Sequence, residues 1–223
     1  MGFNEADFVR KFYQDQKDDR LERYRHLNKY VKKGQILFTG SSLMEQFPIN
    51  EIAMTHGVDR IIYNRGIGGY TIPEMLKAIN EQILDLEPSK IFINIGTNDI
   101  SAPEETKEQL ISDYKKVLTI IKEQLPETRV YLMAYYPVNI KVAARQPWDN
   151  ADRAAKLRLE RLGEANLAVK KLAEDFGYKY IDVNSGLTDA DGQTKEEYSI
   201  DGIHMWSDAY EVVFSNMKEY ILE

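Results

Sequence analysis

Apolar and polar positions along the chain fall into two rhythms. Five short runs are apolar and rich in β-branched or aromatic residues: Gln35 to Thr39, Arg60 to Asn64, Lys90 to Ile95, Arg129 to Tyr135 and Tyr178 to Val183. Runs of this kind predict strands, and a run such as IFINI, apolar almost throughout, predicts a strand buried on both faces of a parallel sheet. Between the runs, apolar residues recur three and four apart, the period of an amphipathic helix. Phe8, Phe12, Leu21, Tyr24, Leu27 and Val31 mark one or two helices over residues 4 to 31, ended near Gly34. Met75, Leu76, Ile79 and Ile83 share one face of a helix opened by Thr71, with Pro73 in its first turn and Glu74 completing a capping box. Ser101 and Glu104 give a second capping signature, before a helix with Leu110, Tyr114, Val117, Leu118 and Ile121 on one face and Pro126 at its end. A further helix is expected from about 150 to 176, stopped by Gly177, and a last one carries Val212, Val213, Met217 and Ile221.

Strands alternating with helices at this spacing imply a parallel sheet with helices on both faces, because right-handed crossovers put them there. The order fits a three-layer α/β/α, flavodoxin-like fold with a five-stranded sheet. At 223 residues, residues 1–223 form one domain, with residues 1–34 as a helical extension packed on it. The apolar stripe of that extension can pack on the core or serve as a homodimer surface; core packing is the simpler use. Residues 136 to 149 form a long stretch without periodicity, which compact domains usually keep for function.

Composition narrows the partners. The net charge is −7 and no basic patch is interleaved with aromatic residues, so nucleic acid is not an expected partner. No apolar run is long enough to span a membrane. There is no cysteine, hence no disulfide framework and no thiolate chemistry. The opening MGFNEADFVRKFYQ lacks a basic-then-apolar signal pattern, and Ala6 departs from a myristoylation motif, so a cytoplasmic location is expected.

Ligands of open α/β sheets bind beyond the carboxyl ends of the strands. At those ends lie Ser41 and Ser42, the turn Gly66-Ile67-Gly68-Gly69, the turn Gly96-Thr97-Asn98-Asp99, and Asp201 with His204. A serine to attack, a histidine to take its proton, a carboxylate to fix the histidine and donors for an oxyanion are the parts of acyl transfer. Of the three histidines, His26 and His56 read as surface positions, whereas His204 follows Asp201 by three residues and precedes a helix. One turn can then hold the carboxylate on one ring nitrogen and leave the other free. Either Ser41 or Ser42 can attack, the other capping the helix. The G-x-S-x-G elbow of α/β-hydrolases is absent, and GIGG lacks the third glycine of a dinucleotide fingerprint. Asp189-Ala190-Asp191-Gly192 begins like a calcium loop, but its twelfth position is Ile200, not glutamate.

TGSSL, NRGIGGYT, IGTND and DGIH, in this order from residue 39 to 204, resemble blocks I, II, III and V of the SGNH or GDSL-type esterases and lipases. The resemblance implies Ser42 as nucleophile, His204 as base and Asp201 as its partner. It implies an oxyanion hole of Ser42, Gly69 and Asn98. Ser41 replaces the aspartate of the name motif, and Tyr70 stands where many relatives have aspartate. The glycine-rich and IGTND blocks are most similar to platelet-activating-factor acetylhydrolase-like and carbohydrate-acetylesterase branches, both of which remove short acyl groups. The expectation is therefore a serine esterase acting on a small-molecule acyl ester, acetyl foremost, on a carbohydrate or small lipid. It needs no metal and no cofactor. The same acyl-enzyme serves an O-acyltransferase, or a lipase or lysophospholipase, and the fold alone also permits a non-catalytic binding module. Tyr70, Tyr136 and Trp148 are expected to frame the mouth of the site, where aromatic faces suit a sugar ring or an apolar chain.

Overall fold

The computed structural model describes residues 4–147 and 151–223. The strands are β1 (Ile36–Gly40), β2 (Ile62–Gly66), β3 (Lys90–Asn94), β4 (Arg129–Met133) and β5 (Lys179–Ile181), all parallel in the order β2-β1-β3-β4-β5. This is the flavodoxin-like sheet read from the sequence, with its switch point between β1 and β3. Strand boundaries move by one or two residues from the expected ones, and the edge strand β5 is the most shortened.

Strand alternation divides the core in two. Leu37, Ile91, Ile93, Val130 and Leu132 point into one apolar cluster. Phe38, Phe92, Tyr131 and Met133, their alternates, point into the other. On the first face pack α1 (Glu5–Asn28), α4 (Ile72–Lys77), α5 (Ile79–Gln82), α6 (Lys107–Gln124) and α8 (Ala151–Phe176). On the second face lie α2 (Ser42–Glu45), α3 (Ile49–Thr55) and α9 (Ser207–Leu222). The short α7 (Ile140–Ala143) interrupts the long stretch after β4.

Three local expectations change. The helix expected from Thr71 onward breaks at Ala78, and Gln82 in its second piece is wholly buried, donating to Gly40 O at 3.2 Å and Arg65 O at 2.8 Å. The Ser101 and Glu104 capping box does not form. The Ser101 hydroxyl donates to Thr97 O at 2.7 Å instead, and α6 starts later with Thr106 as its cap, accepting from Gln109 N at 3.1 Å. A serine that satisfies the backbone behind it tightens a turn rather than opening a helix.

The third change concerns the apolar stripe of the N-terminal extension, which forms a single helix, α1, one of the two arrangements expected. Its 24 residues span about 36 Å, and its contacts with the first core come from its second half. Leu21 and Tyr24 pack on the first core, and Tyr24 Oη donates to Gly66 O at 2.6 Å. Phe8, Phe12 and Leu27 of the expected stripe remain exposed.

Candidate active site

β1 runs into α2 through Gly40, at φ +151°, where a Cβ would sit 2.0 Å from Asn94 O on the neighbouring strand. Only glycine permits that approach, and it delivers the two serines to the top of the switch point. Ser41 is wholly buried at the N-cap position, its hydroxyl 3.4 Å from Thr97 Oγ1. Ser42 opens α2 and faces the cavity, with Oγ 2.9 Å from His204 Nε2. Of the two serines it is Ser42 that reaches the cavity and His204.

His204 Nδ1 lies 2.6 Å from Asp201 Oδ2. The other oxygen, Asp201 Oδ1, accepts from Ile203 N at 2.9 Å and His204 N at 2.7 Å, which closes the turn. Burial alone would raise the Asp201 pKa; the His204 ring and these two amides outweigh it and bring it down to about 2. Asp201 is therefore a carboxylate at neutral pH and accepts the Nδ1 proton. That leaves Nε2 as an acceptor for the Ser42 hydroxyl. The turn is braced from behind. Gly202, at φ +94°, donates to Ser199 Oγ at 2.9 Å, and its carbonyl accepts from Asn139 N at 2.8 Å.

The oxyanion candidates surround the same serine. Gly69 takes φ +72°, and a Cβ on Gly68 would lie 3.9 Å from Ser42 Cβ. Asn98 Nδ2 donates to Tyr70 O at 2.8 Å, which orients the amide and leaves its second hydrogen to spare. Among the described residues the Ser42 and Gly69 amides have no acceptor. Asp99, next in the turn, is buried and accepts from Ile72 N at 3.1 Å. Burial pushes its carboxyl up to about 6 against the pull of that amide.

Ser42, Gly68, Gly69, Asn98 and His204 share one cavity of about 890 Å³. Its outer wall, not foreseen from the sequence, is α1, which contributes Tyr13, Gln16, Lys17, Arg20 and Arg23. Amphipathic spacing announced that helix but not which end of the sheet it would cover. Two expected mouth residues are corrected. Tyr136 is wholly buried in the second core, and Tyr70 is 5% exposed in the first, with Lys17 Nζ 5.6 Å above its ring. An aromatic ring in a loop that crosses a core is drawn inward by the area it buries. Trp148 lies outside the described residues. His56 is not a free surface group: its Nε2 meets Glu211 and its ring lies 4.9 Å from that of Phe214. His26 is exposed, with Glu22 at 3.3 Å.

Among the described residues no group of three or more His, Asp or Glu could hold a metal ion. No described helix is long and apolar enough to cross a membrane. Serine, histidine and aspartate hydrogen-bonded in series beside unpaired amides form the arrangement of a serine hydrolase. The chain belongs to the GDSL-like lipase/acylhydrolase family, whose model matches residues 49–212. A solved structure from Streptococcus pneumonia, described as a platelet activating factor, superposes with a TM-score of 0.84 at 27% identity, covering 97% of each chain. The N-acylneuraminate cytidylyltransferase of Escherichia coli O18:K1:H7 is 26% identical over 87% of this chain and 42% of its own length. The chain thus spans about two-fifths of that relative. The platelet-activating factor acetylhydrolase IB subunit alpha1 of Bos taurus is 24% identical over 78% of this chain and 69% of its own.

Proposed function

We propose that the protein hydrolyses short acyl esters, acetyl foremost, carried on a polar, carbohydrate-like alcohol, through an acyl-enzyme on Ser42. The observation that carries this reading is the unbroken series Ser42 Oγ, His204 Nε2, His204 Nδ1, Asp201 Oδ2, at 2.9 Å and 2.6 Å across its two hydrogen bonds. Ser42 Oγ attacks the ester carbonyl as its proton passes to His204 Nε2, with Asp201 holding the imidazolium that forms. Negative charge gathers on the carbonyl oxygen, where the Ser42 and Gly69 amides and the spare Asn98 hydrogen serve as donors. The alcohol leaves with the proton from His204. Water, deprotonated by the same nitrogen, then frees the acid and restores Ser42.

The polar carrier is favoured by the cavity wall. Gln16, Lys17, Asp19, Arg20, Arg23, Glu45 and Gln46 outnumber Tyr13 and Ile67 there. Their amide and charged groups offer hydrogen bonds to the hydroxyl groups of such a carrier. The acetylhydrolase relative fits the short acyl group.

The test is hydrolysis of p-nitrophenyl esters from acetate to octanoate, beside release of acetate from an O-acetylated saccharide. Wild type and Ser41→Ala should turn over acetate fastest, and Ser42→Ala should turn over neither substrate. A preference for octanoate would overturn the short-acyl reading, and an active Ser42→Ala would overturn the mechanism.

A further inference from the structure

We propose that Glu45 is a positioning residue for the oxyanion-binding turn and that Arg20, from the N-terminal helix, is the counter-charge that lets a carboxylate sit there. This rests on the reading of Ser42 as nucleophile and of the Gly69 amide as an oxyanion donor. Glu45 lies one helical turn after Ser42 on α2, so its side chain leaves the same short helix as the nucleophile. Its Oε2 accepts the Gly68 amide at 2.5 Å, and its Oε1 pairs with Arg20. The Glu45 side chain is 22% exposed and lines the cavity that holds Ser42 and Gly69.

A second strut runs parallel to the first. Lys17, one turn before Arg20 on α1, pairs with Glu74 at 2.7 Å, and Glu74 accepts the Thr71 amide at 2.8 Å. The turn from Gly68 to Thr71 is therefore gripped at both ends by carboxylates, and each carboxylate is anchored to α1. Between the two grips lie Gly69 and the Tyr70 carbonyl that orients Asn98. Tyr70 N donates to Ile67 O at 3.2 Å and closes the turn; glycine at 68 and 69 leaves it pliable, and the carboxylate contacts set where it sits against Ser42. The Glu45 contact lies beside Gly69 in the chain and fixes where its amide points.

The charge matters as well as the contact. A carboxylate lining the pocket in which an oxyanion develops opposes that charge unless a cation cancels it. Arg20 supplies the cation. The N-terminal helix is thereby part of the catalytic apparatus although it touches no reacting atom.

Four variants separate this proposal from plain packing: Glu45→Ala, Glu45→Gln, Arg20→Gln and the double variant Arg20→Gln/Glu45→Gln. The readouts are kcat and KM for p-nitrophenyl acetate, the rate of inactivation by a small fluorophosphonate, which also develops an oxyanion, and Tm. Glu45→Ala should lower kcat by about 10²-fold, the usual penalty of a misplaced group, with KM little changed and phosphonylation slowed in parallel. Glu45→Gln keeps an acceptor for the Gly68 amide and should recover most of the loss. Arg20→Gln leaves the carboxylate uncompensated and should lower kcat on the order of tenfold. Removing that carboxylate in the double variant should raise kcat above the Arg20→Gln single variant. The proposal is overturned if Glu45→Ala keeps kcat within about twofold of wild type, well short of the penalty expected of a misplaced group, or acts on KM alone. It is equally overturned if the double variant is no faster than Arg20→Gln. Should Glu45→Ala not fold, Glu45→Gln and the Arg20 pair decide the question. An active Ser42→Ala enzyme would instead remove the underlying mechanism.

Discussion

Asp201→Asn isolates what the carboxylate does for His204. Asparagine matches the neutral acid in shape, and its Oδ1 can still accept the Ile203 and His204 amides at 2.9 Å and 2.7 Å, so the turn should survive. Its Nδ2 would occupy the Oδ2 position, 2.6 Å from Nδ1, and would donate where the carboxylate accepts. The ring must then carry its proton on Nε2, and that nitrogen can no longer take the Ser42 proton. A wrong tautomer of this kind costs about 10⁴ in kcat in the worked serine-protease case, and a similar loss is expected here with KM nearly unchanged. Stability should fall too. The Asp201 carboxyl titrates at about 2 in the fold, against an ordinary 3.8. Part of that lowering comes from a charged His204 ring and part is screened by solvent, so at neutral pH it corresponds to less than about 2 kcal/mol of preference for the charged form. The contribution is complete above the unfolded pKa of about 4 and is lost as pH falls through the folded value. At pH 7 the variant should therefore melt lower by a few degrees, a gap that closes on acidification. The assay is steady-state hydrolysis of p-nitrophenyl acetate, with melting curves at neutral and acid pH. A loss of less than tenfold in kcat would refute the tautomer reasoning.

Three further outcomes follow from the geometry. Asn98→Ala removes one oxyanion donor and should lower kcat by about 10²–10³, read from kcat and KM on the same ester. Gly202→Ala forces an L side chain into φ +94° and a Cβ to within 2.6 Å of Asn139 O. It should cost about 2 kcal/mol or more, and both Tm and kcat should drop, because the same turn carries Asp201 and His204. Asp99 has the opposite sign to Asp201. Its folded pKa, about 6, lies above the unfolded value, so stability falls as pH rises from about 4 to 6. The full penalty of about 3 kcal/mol applies above that window. Asp99→Asn should be relatively more stable at pH 7 than at pH 4, and parallel urea midpoints for the two proteins across that range would refute it.

Much of this was legible in the sequence for a physical reason: the informative features are local. A strand buried on both faces must be apolar at successive positions, which located β1, β3 and β4. Asp201 and His204 are close in the chain, so one turn joins them, and the strand-end rule gathers them with Ser42 and Asn98. What was not legible depends on long-range packing. Tyr136 follows β4 in a stretch read as an open loop, yet that stretch crosses the second core and the ring is buried there. Lys90 read only as the start of a strand. Its ammonium group caps the C-terminal end of α9, donating to Tyr220 O at 2.6 Å and Ile221 O at 3.0 Å, and burial lowers its pKa to about 8. The placing of α1 as a wall, with Lys17 and Arg20 paired to carboxylates of distant elements, has no signature along the chain beyond the helix's own apolar spacing.

The central claim is that Ser42, activated by His204, is the nucleophile. The most direct measurement is labelling with a small fluorophosphonate, followed by mass spectrometry of the intact protein and of its peptides. One adduct per chain on Ser42, absent in Ser42→Ala and sharply slowed in His204→Ala, is the expected result. An adduct on Ser41 or elsewhere, or labelling of Ser42 that is indifferent to His204→Ala, would contradict it.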